Sequence, residues 1–469
     1  MGFSKFLKDS KSLCKELVDE LSKSYKYVSI LACDVLGTVV RCNKMSSSIA
    51  ENDFDKQQGF VVKMTNGKAF YEYSFDTFDT NIVSFAKKII DSVAVDNNLE
   101  DKEIESFNIF DEPLVKDFER ESDVDTYQNS TLLDFTKKLN DEVLNSDSHF
   151  VNAITMIQTQ DISKMFISKN RELTQHYTWV NGMIVGIYVS DEGKMVQSRV
   201  GSYSNNIKAV LDELPTKIYE LVYKSSHLAN AKPITPGVYD VITDPTITGL
   251  IAHEAFGHGV EMDQFVKDRA LAKYMVGKYV ASPICNMRDG ASDILSTASY
   301  FFDDDGILAQ NTQIIKNGKL VTGICDLVSS RELGVNPTGN GRREKFNRKA
   351  YTRMTNTYFE KGKDKLEDMI KSVKHGYMLF ETNNGMEDPK NWAIQCVCEY
   401  GIEIVDGKLT DNWVSPVVMS GFVPDLLKSI SAVSDEFKII GSGSCGKGYK
   451  EWVRVSDGGP HLKAKVKLS

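Results

Sequence analysis

Two histidines and an intervening glutamate lie in the stretch around which the chain is organised, Thr246-Ile-Thr-Gly-Leu-Ile-Ala-His253-Glu254-Ala-Phe-Gly257-His258-Gly-Val-Glu261-Met-Asp263. Asp244-Pro245-Thr246 precedes an apolar run and predicts the start of a helix. At about 100° per residue, His253, Glu254 and His258 fall on one arc of that helix. We interpret this arc as the metal site of a hydrolase, with the intervening Ala255-Phe256 packed in the core.

The spacing of the two histidines predicts a distorted helix. In the common HExxH pattern the histidines lie one turn apart, about 40° round the helix, and both reach one zinc ion. The HExxxH spacing found here opens that angle to about 140° in a regular helix. We therefore expect a one-turn π-bulge, with Gly257 and Gly259 easing the backbone strain. Gly257 is also expected to leave the centre of the arc bare, so that a metal or substrate can approach.

A catalytic zinc usually has three protein ligands and one water, so the two histidines need a partner. Our candidate is Cys445, in a stretch expected to form a tight loop, Gly441-Ser-Gly-Ser-Cys445-Gly-Lys447-Gly. Glu254 is predicted to be the general base that takes a proton from zinc-bound water, while zinc polarises the scissile carbonyl. Glu261 and the acids at 303–305 are the alternatives for the third ligand. Lys447 either lowers the pKa of Cys445 or belongs to the loop surface.

Three other polar features are candidates for substrate or cation binding. In the glycine-rich basic loop 337–349, Asn340, Arg342 and Arg343 could clamp a peptide carboxylate or carbonyls, with a solvated loop as the alternative. Glu261 is a further candidate for substrate contact, and a solvated helix residue is its alternative. Phe302-Asp-Asp-Asp-Gly306 resembles a cation loop, although we favour a turn with exposed acids.

Composition limits the class of protein. The 469 residues carry a net charge of −9, and the pI is about 5.5, which argues against nucleic acid as the main partner. No apolar run approaches the length of a membrane helix, and the start of the chain lacks the apolar core of a signal peptide. Eight cysteines spread over this length do not form a disulfide framework. We expect a cytoplasmic protein with reduced thiols and no membrane contact.

The hydrophobic pattern predicts an α+β protein of two domains, 1–230 and 231–469. The first domain is expected to combine an antiparallel sheet with long helices, including an amphipathic helix over 3–23 and a hairpin around Asn66-Gly67. Ala231-Lys-Pro-Ile-Thr-Pro-Gly is the predicted linker. The second domain is expected to be β-rich, to carry the metal site and to bring Cys445 back to the helix.

Several motifs, in this order, resemble the TldD branch of the TldD/TldE (PmbA) metallopeptidase family. They are Gly249-Leu-Ile-Ala-His-Glu-Ala-Phe-Gly-His, Phe302-Asp-Asp-Asp-Gly, Pro337-Thr-Gly-Asn-Gly-Arg-Arg-Glu, Arg353-Met-Thr-Asn and Cys445-Gly-Lys. The resemblance runs from the hairpin at 59–73 to residues 458–462. It implies that His253, His258 and Cys445 bind zinc and that Glu254 is the catalytic acid and base.

The resemblance also implies a substrate class and an assembly. Active members of this family act on small or unfolded peptides and dimerise, so this chain is expected to pair with itself or with a TldE-type partner. Strand addition at a sheet edge would capture peptides by their backbone. The chain departs from the family's usual Gly-Gln at Gly448-Tyr449-Lys450-Glu451, which bears on substrate preference more than on zinc binding.

Two other functions compete with a zinc peptidase. One is a non-catalytic peptide-binding or assembly subunit in which the helix and Cys445 hold a structural zinc. The presence of Glu254 beside the ligands argues against it. The other is a zinc amidohydrolase that acts on a modified small molecule, which the sequence does not separate from a peptidase.

Overall fold

The computed structural model describes residues 2–53, 55–67, 69–93, 111–448 and 450–469. Tyr449, where the chain departs from the family's usual sequence, lies outside the described residues. Ten α-helices are found in the described part: α1 (Lys5–Leu21), α2 (Ile82–Ser92), α3 (Asn129–Ser146), α4 (Ile207–Glu213), α5 (Ile218–Asn230), α6 (Pro245–Leu250), α7 (Asp263–Val266), α8 (Leu327–Leu333), α9 (Leu366–Lys371) and α10 (Val423–Ser429). Judged by length and apolar character, the described helices include no membrane-spanning candidate.

The N-terminal half is built on an eight-stranded sheet. Its strands are β1 (Tyr27–Asn43), β2 (Ser47–Glu51), β3 (Gln57–Thr65), β4 (Phe70–Phe75), β5 (Leu114–Glu119), β6 (Phe150–Ser168), β7 (Arg171–Val189) and β8 (Met195–Ser204). The order is β4-β3-β1-β6-β7-β5, with β2 beside β1 and β8 beside β7. All neighbours are antiparallel except β5 and β7. The predicted antiparallel sheet and the hairpin at Asn66-Gly67 are therefore confirmed.

Helices cover this sheet with two separate apolar clusters. One cluster joins α1 and α2 to β1, β3 and β6, and its members include Leu7, Leu17, Ile30, Val62 and Phe85. The other joins α3, α4 and α5 to β6 and β7. The predicted amphipathic helix over 3–23 is observed as α1, with Leu7, Leu17 and Leu21 fully buried. Its apolar stripe is what holds it on the sheet.

The C-terminal half is rich in strands, as predicted. They are β9 (Gly237–Thr243), β10 (Met287–Gly290), β11 (Asn311–Lys316), β12 (Lys319–Leu320), β13 (Gly341–Arg342), β14 (Tyr351–Thr352), β15 (Asn356–Phe359), β16 (His375–Asp388), β17 (Ala393–Val405), β18 (Lys408–Val414), β19 (Val417–Phe422), β20 (Ala432–Val433), β21 (Lys438–Lys447), β22 (Lys450–Gly459) and β23 (Leu462–Leu468).

Two sheets of this half enclose the histidine helix. The first has the order β16-β9-β23-β19-β17-β18, and a further pairing of β16 with β17 closes five of its strands into a ring. The second has the order β12-β11-β10-β15-β22-β21. Helix α6 contacts β16 of the first sheet and β22 of the second. Ala255 and Phe256, which follow α6, are fully buried in the core between these sheets, as expected.

The acidic motif at 302–306 joins the two halves and corrects a prediction. We expected a turn with exposed acids, yet Asp303, Asp304 and Asp305 are at most 5% exposed. Asp305 pairs with Lys63 of β3, and Asp304 lies 2.5 Å from the ammonium of Lys164 of β6. Asp304 and Asp305 can be buried because cations of the first half neutralise them, and Asp303 accepts hydrogen bonds from backbone amides.

The predicted linker after residue 230 packs against the second half. The Lys232 amide donates to the Trp413 carbonyl at 3.0 Å, and the Ser415 amide donates to the Lys232 carbonyl at 3.0 Å. Ala231 is 8% exposed. Division of the chain into domains 1–230 and 231–469 stays a prediction.

Candidate metal centre

The histidines lie on a helical segment whose winding changes along its length. The Asp244 carboxylate accepts a hydrogen bond from the Ile247 amide at 2.8 Å and caps α6, which begins at Pro245. A π-helical turn, Ile251–Gly257, follows, and then a 3₁₀ turn, His258–Val260. The His258 amide donates to the His253 carbonyl, five residues back. The predicted π-bulge is therefore present between the two histidines, where the extra residue of the HExxxH spacing needs it.

A glycine is required at position 257 for a reason other than the one predicted from the sequence. We predicted that it leaves the centre of the arc bare, but a Cβ atom there would lie 2.1 Å from Sδ of Met354. Met354 is 1% exposed and packs directly against the glycine. Gly257 thus lets the helix approach the core, and the prediction of an open approach at this residue was wrong.

Three side chains that could bind a metal ion converge beside this helix. Donor atoms of His253, His258 and Cys445 all lie within 4.8 Å of one another. Cys445 Sγ is 3.3 Å from His258 Nε2, and the side chains are mostly buried. Cys445 is on strand β21 and not in the predicted loop. The sheet therefore sets its position, since Cys445 pairs with Val453 of β22.

This donor set fits a zinc ion. Ligand bonds of about 2.0 Å to nitrogen and about 2.3 Å to sulfur, in a tetrahedron, imply a nitrogen–sulfur separation of about 3.5 Å, close to the observed 3.3 Å. Burial raises the pKa of the Cys445 thiol, but His258 and His253 outweigh it and hold that pKa well below its ordinary value. A thiolate flanked by imidazoles matches the soft donors that zinc prefers.

Glu254 lies between the two imidazoles without joining the donor group. One carboxylate oxygen is 3.9 Å from His253 Nε2, and the other is 3.9 Å from His258 Nε2. Burial raises the pKa of this carboxyl above its ordinary value, although both histidines oppose the shift. Gly385 of β16 packs on it, because a Cβ atom at residue 385 would lie 2.7 Å from Cγ of Glu254. The side chain keeps 19% of its surface exposed, so it can meet a ligand.

Comparison with known proteins agrees with this geometry. Residues 236–467 match the model of the PmbA/TldA metallopeptidase C-terminal domain. This part of the chain belongs to that family. A metalloprotease of Methanothermobacter thermautotrophicus is 31% identical over 240 residues, 51% of this chain and 52% of that protein. The zinc metalloprotease TldD homolog of Saccharolobus solfataricus is 29% identical over 282 residues, 58% of this chain and 62% of that protein.

The fold extends the similarity beyond the metallopeptidase domain. TldE from Thermococcus kodakarensis has a similar structure, with a TM-score of 0.76 over 97% of this chain and 100% of that chain. Sequence identity is 16%, so this likeness shows the fold alone. The chain spans about half the length of the curated relatives it matches.

Glu261 lies behind the metal group of the metallopeptidase domain and is fully buried. One carboxylate oxygen is 3.2 Å from His258 Nδ1 and 3.1 Å from the Lys447 ammonium, and the other is 3.4 Å from Arg353 Nε. Burial raises the pKa of Glu261, but Lys447 and His258 hold it below its ordinary value. Glu261 is therefore not a solvated helix residue. Its carboxylate is occupied by contacts within the protein. The carboxylate would accept a hydrogen bond from His258 Nδ1, so Nε2 would be the nitrogen available to a metal.

Two buried cations, Lys447 and Arg353, make hydrogen bonds next to the candidate metal ligands. Lys447 also donates to Asp263 at 2.7 Å and to the Thr352 carbonyl at 2.9 Å, so it is not loop surface. Arg353, which the sequence analysis did not single out as a site residue, donates to the Cys445 carbonyl at 2.8 Å and is 1% exposed. These contacts tie the histidine segment to the strand that carries Cys445.

The candidate residues of the basic loop make contacts within the protein. The Asn340 amide donates to Asp289 at 2.7 Å and to the Arg353 carbonyl at 3.1 Å. Arg343 pairs with Glu72 of the first half at 2.5 Å, and Arg342 donates to the Met354 carbonyl at 2.6 Å.

Two further carboxylates near the helix gave no signal in the sequence. Asp457 of β22 lies against Gly249, where a Cβ atom would come 2.5 Å from its Oδ1. Burial raises the pKa of Asp457 to about 6, opposed by the neighbouring His253. Glu387 of β16 accepts from the Gly259 amide at 2.9 Å, and burial raises its pKa well above the ordinary value. Both residues are distant in sequence from the histidines. Pairing of their strands in the two sheets brings them next to the histidine helix.

Proposed function

We propose that the protein is a zinc-dependent peptidase that hydrolyses peptide bonds in small or unfolded peptides. The observation that carries the proposal is the convergence of His253, His258 and Cys445 beside the carboxylate of Glu254. Cys445 is 187 positions from His258, so the arrangement is built by the fold. The names of the relatives, metalloprotease and zinc metalloprotease, support the same reaction class.

The proposed roles follow from position. His253, His258 and Cys445 would hold the zinc, which would supply the Lewis acidity that activates a water and polarises the scissile carbonyl. Glu254, 3.9 Å from both imidazoles, accepts the proton of the attacking water and passes it to the leaving amine. Its raised pKa suits both transfers, because a carboxyl closer to neutrality accepts and releases a proton with less cost.

Strand β21 supports peptides as the substrate class. It carries Cys445 and ends the sheet order β12-β11-β10-β15-β22-β21, and within the described residues it pairs only with β22. An extended peptide can therefore add to its outer edge by main-chain hydrogen bonds and reach the metal centre in line. Binding of this kind uses the backbone and gives little selectivity for side chains. Strict side-chain selectivity in the cleavage of a mixed peptide library would contradict it.

A structural zinc site in a non-catalytic subunit is the second function considered. Such sites are closed by four protein ligands, whereas the donor group found in the described residues contains three. Three ligands leave a tetrahedral ion one further position, which favours catalysis. A zinc amidohydrolase on a modified small molecule shares this chemistry, and the edge strand favours a peptide over it.

The assembly and location are proposed along with the reaction. We infer a dimer formed with a second copy or with a TldE-type subunit, supported by the shared fold with TldE. The cysteines are all free thiols, which supports a cytoplasmic location. Light scattering after gel filtration, with and without a TldE-type chain, would separate the two kinds of dimer from a monomer.

Glu254→Gln tests the proposed reaction. We expect the variant to keep about one zinc per chain and to lose about 10²- to 10⁴-fold in kcat, since only the proton transfer is removed. Zinc is measured by mass spectrometry and cleavage with a quenched-fluorescence peptide. Glu192→Gln, at an exposed turn, is the matched control and should keep both properties. A Glu254→Gln enzyme with normal activity would rule out Glu254 as the base.

A further inference from the structure

A polar cavity lies between the two halves of the molecule, on the face of the eight-stranded sheet that points away from the helices. Its volume is about 90 Å³, several times the space of about 10–15 Å³ that one water molecule needs. The first half contributes Gln160 and Lys164 of β6 and Tyr177 of β7. The second half contributes Arg342 of β13 and Arg454 of β22. The cavity can therefore hold a small polar group of a ligand.

The cations that line this cavity differ in whether a carboxylate balances them. Lys164, Arg343 and Arg454 each have a carboxylate partner, at 2.5 to 2.6 Å. Arg342 has no carboxylate within 4 Å among the residues that the structure describes. Its guanidinium instead donates from Nη1 to the Met354 carbonyl at 2.6 Å, which leaves the charge unmatched. One positive charge of the wall is thus available to a ligand.

Two neutral hydrogen-bonding groups share the cavity with Arg342. The Tyr177 hydroxyl and the side-chain amide of Gln160 make no hydrogen bond within the described part of the chain, and both keep accessible surface. The Tyr300 ring, whose centroid is 5.6 Å from the guanidinium carbon, helps to orient Arg342. A guanidinium, a hydroxyl and an amide N–H all donate hydrogen bonds that a carboxylate accepts.

The acids of the wall limit the charge of such a ligand. Asp303 accepts backbone amides at 2.8 and 2.9 Å, and Asp304 accepts from Lys164 and from the Arg343 amide. Because both carboxylates stay beside the cavity, they would repel a second negative charge on the ligand. The wall therefore suits a carboxylate, with one charge, better than a phosphate.

Two contacts link the cavity wall to the candidate metal centre. Val453 lines the cavity and pairs with Cys445 on the next strand. Met354, whose carbonyl accepts from Arg342, packs with its sulfur against Gly257 of the histidine segment. Packed layers lie about 10 Å apart, and about three extended residues span that distance at about 3.3 Å each. A ligand group in the cavity would then belong to a residue a few positions from the scissile bond.

We propose that the cavity binds a single carboxylate group of the peptide substrate, with Arg342 as its ion-pair partner and Tyr177 and Gln160 as hydrogen-bond donors. The inference rests on the proposed peptidase function and adds a preference for charge to it. The carboxylate comes either from the carboxyl end of the peptide or from an acidic side chain. Backbone binding along β21 gives no such preference, so the two contacts can be tested separately.

Pairs of fluorescently labelled peptides of alanine and serine test the site. One pair ends in a free carboxylate or a carboxamide. The other pairs all end in a carboxamide and carry glutamate or glutamine at one position, which is moved along the peptide. Binding to Glu254→Gln is measured by fluorescence anisotropy. We expect the charged member of at least one pair to bind about tenfold more tightly than the neutral member. A preference in the first pair assigns the site to the chain end, and a preference in another pair assigns it to an acidic side chain.

Variants at Arg342 assign the preference to this cavity. Arg342→Gln, added to Glu254→Gln, should abolish the preference for charge and leave the binding of neutral peptides unchanged. Arg342→Lys should keep part of it, and Tyr177→Phe should weaken it about twofold to fivefold. Arg41→Gln, at an exposed position of β1, is the matched control and should keep the full preference.

The outcomes separate this inference from the function on which it rests. Equal affinity of charged and neutral peptides would overturn the carboxylate site, as would a preference that survives Arg342→Gln or the absence of binding to every peptide. The peptidase proposal fails separately, if the protein with Glu254 intact cleaves none of the peptides. A preference for charge that is lost in Arg342→Gln would support the carboxylate site in either case.

Discussion

Two buried clusters of ionisable side chains differ in how their charges are balanced. In the acidic loop, Asp305 pairs with Lys63 and Asp304 with Lys164, and the Asp303 carboxylate accepts backbone amides at 2.8 and 2.9 Å. At the metal centre, two imidazoles and a thiolate face one another at a spacing that fits an ion. The charges of the first cluster are balanced by groups of the protein itself. The donors of the second cluster would be stabilised by a bound cation. Convergent donors, and not the number of acids in a motif, mark the binding site.

The largest expected effect comes from removing the sulfur ligand. Cys445→Ala should lower bound zinc from about one per chain to almost none, because two histidines alone hold zinc weakly. Mass spectrometry of protein passed over a mild chelator measures this. Cys285→Ala, which removes a buried thiol elsewhere in the core, is the control and should keep its zinc. Zinc retained by Cys445→Ala would mean that the third ligand is a residue other than Cys445.

The same comparison predicts a large effect on stability at the acidic loop. Lys63→Met leaves Asp305 buried without its cation, and breaking a buried pair costs roughly 3–5 kcal/mol. The Lys63 and Asp305 side chains are 6% and 0% exposed. Urea unfolding measures the free energy, and zinc content should not change. Lys56→Met removes the exposed pair with Glu51 and should leave the free energy of unfolding almost unchanged. Equal losses in both variants would contradict the assignment of a buried pair.

The two clusters also show what the sequence can predict. The π-bulge, the hairpin at Asn66-Gly67 and the role of Ala255 and Phe256 follow from spacing within a few residues. These predictions were confirmed because local geometry decides them. Cys445 was predicted as a ligand from its setting and from a family resemblance, although its strand was taken for a loop. Alternation is hidden there by glycine and serine, which have little strand preference.

The features that the sequence did not predict are contacts over long separations. Lys63 and Asp305 lie 242 positions apart, and Arg343 and Glu72 lie 271 apart. A run of three aspartates looks solvated until its partners on another sheet are known. Gly385 and Asp457 reach the histidine helix through β16 and β22 in the same way. Residue type alone does not show which acids will find a cation in the fold.

A moderate effect is expected from the carboxylate behind His258. Glu261→Gln should weaken zinc binding about 10- to 100-fold, because the amide no longer fixes the proton on His258 Nδ1. Competition with a fluorescent chelator measures the affinity, and ¹⁵N spectra of the zinc-loaded protein report which nitrogen of His258 carries the proton. Asp263→Asn is the matched control, since Asp263 binds Lys447 at 2.7 Å. If both variants lose zinc affinity equally and the tautomer of His258 does not change, Glu261 acts only through its ion pairs with Lys447 and Arg353.

The last prediction tests the charge balance at the junction of the two halves through its dependence on pH. Burial raises the pKa of Glu72, but Lys63 and Arg343 outweigh it and lower that pKa to about 2, against an ordinary 4.5. A lowered folded-state pKa stabilises the protein above the ordinary value, and this contribution is lost as pH falls from about 4.5 to about 2. In that window the free energy of unfolding should fall up to about 1.4 kcal/mol per pH unit more steeply in the parent than in Glu72→Gln.

Urea unfolding at several pH values measures this difference in slope. Both proteins should carry Cys445→Ala, so that zinc release at low pH does not add to the slope. If the free energy of unfolding changes with pH equally in the parent and in Glu72→Gln, Glu72 has the same pKa in the folded and unfolded chains. Arg343 and Lys63 would then not stabilise its charge. If the free energy of unfolding falls more steeply with decreasing pH in the parent, the difference is the loss of stability caused by protonation of Glu72 at the junction of the two halves.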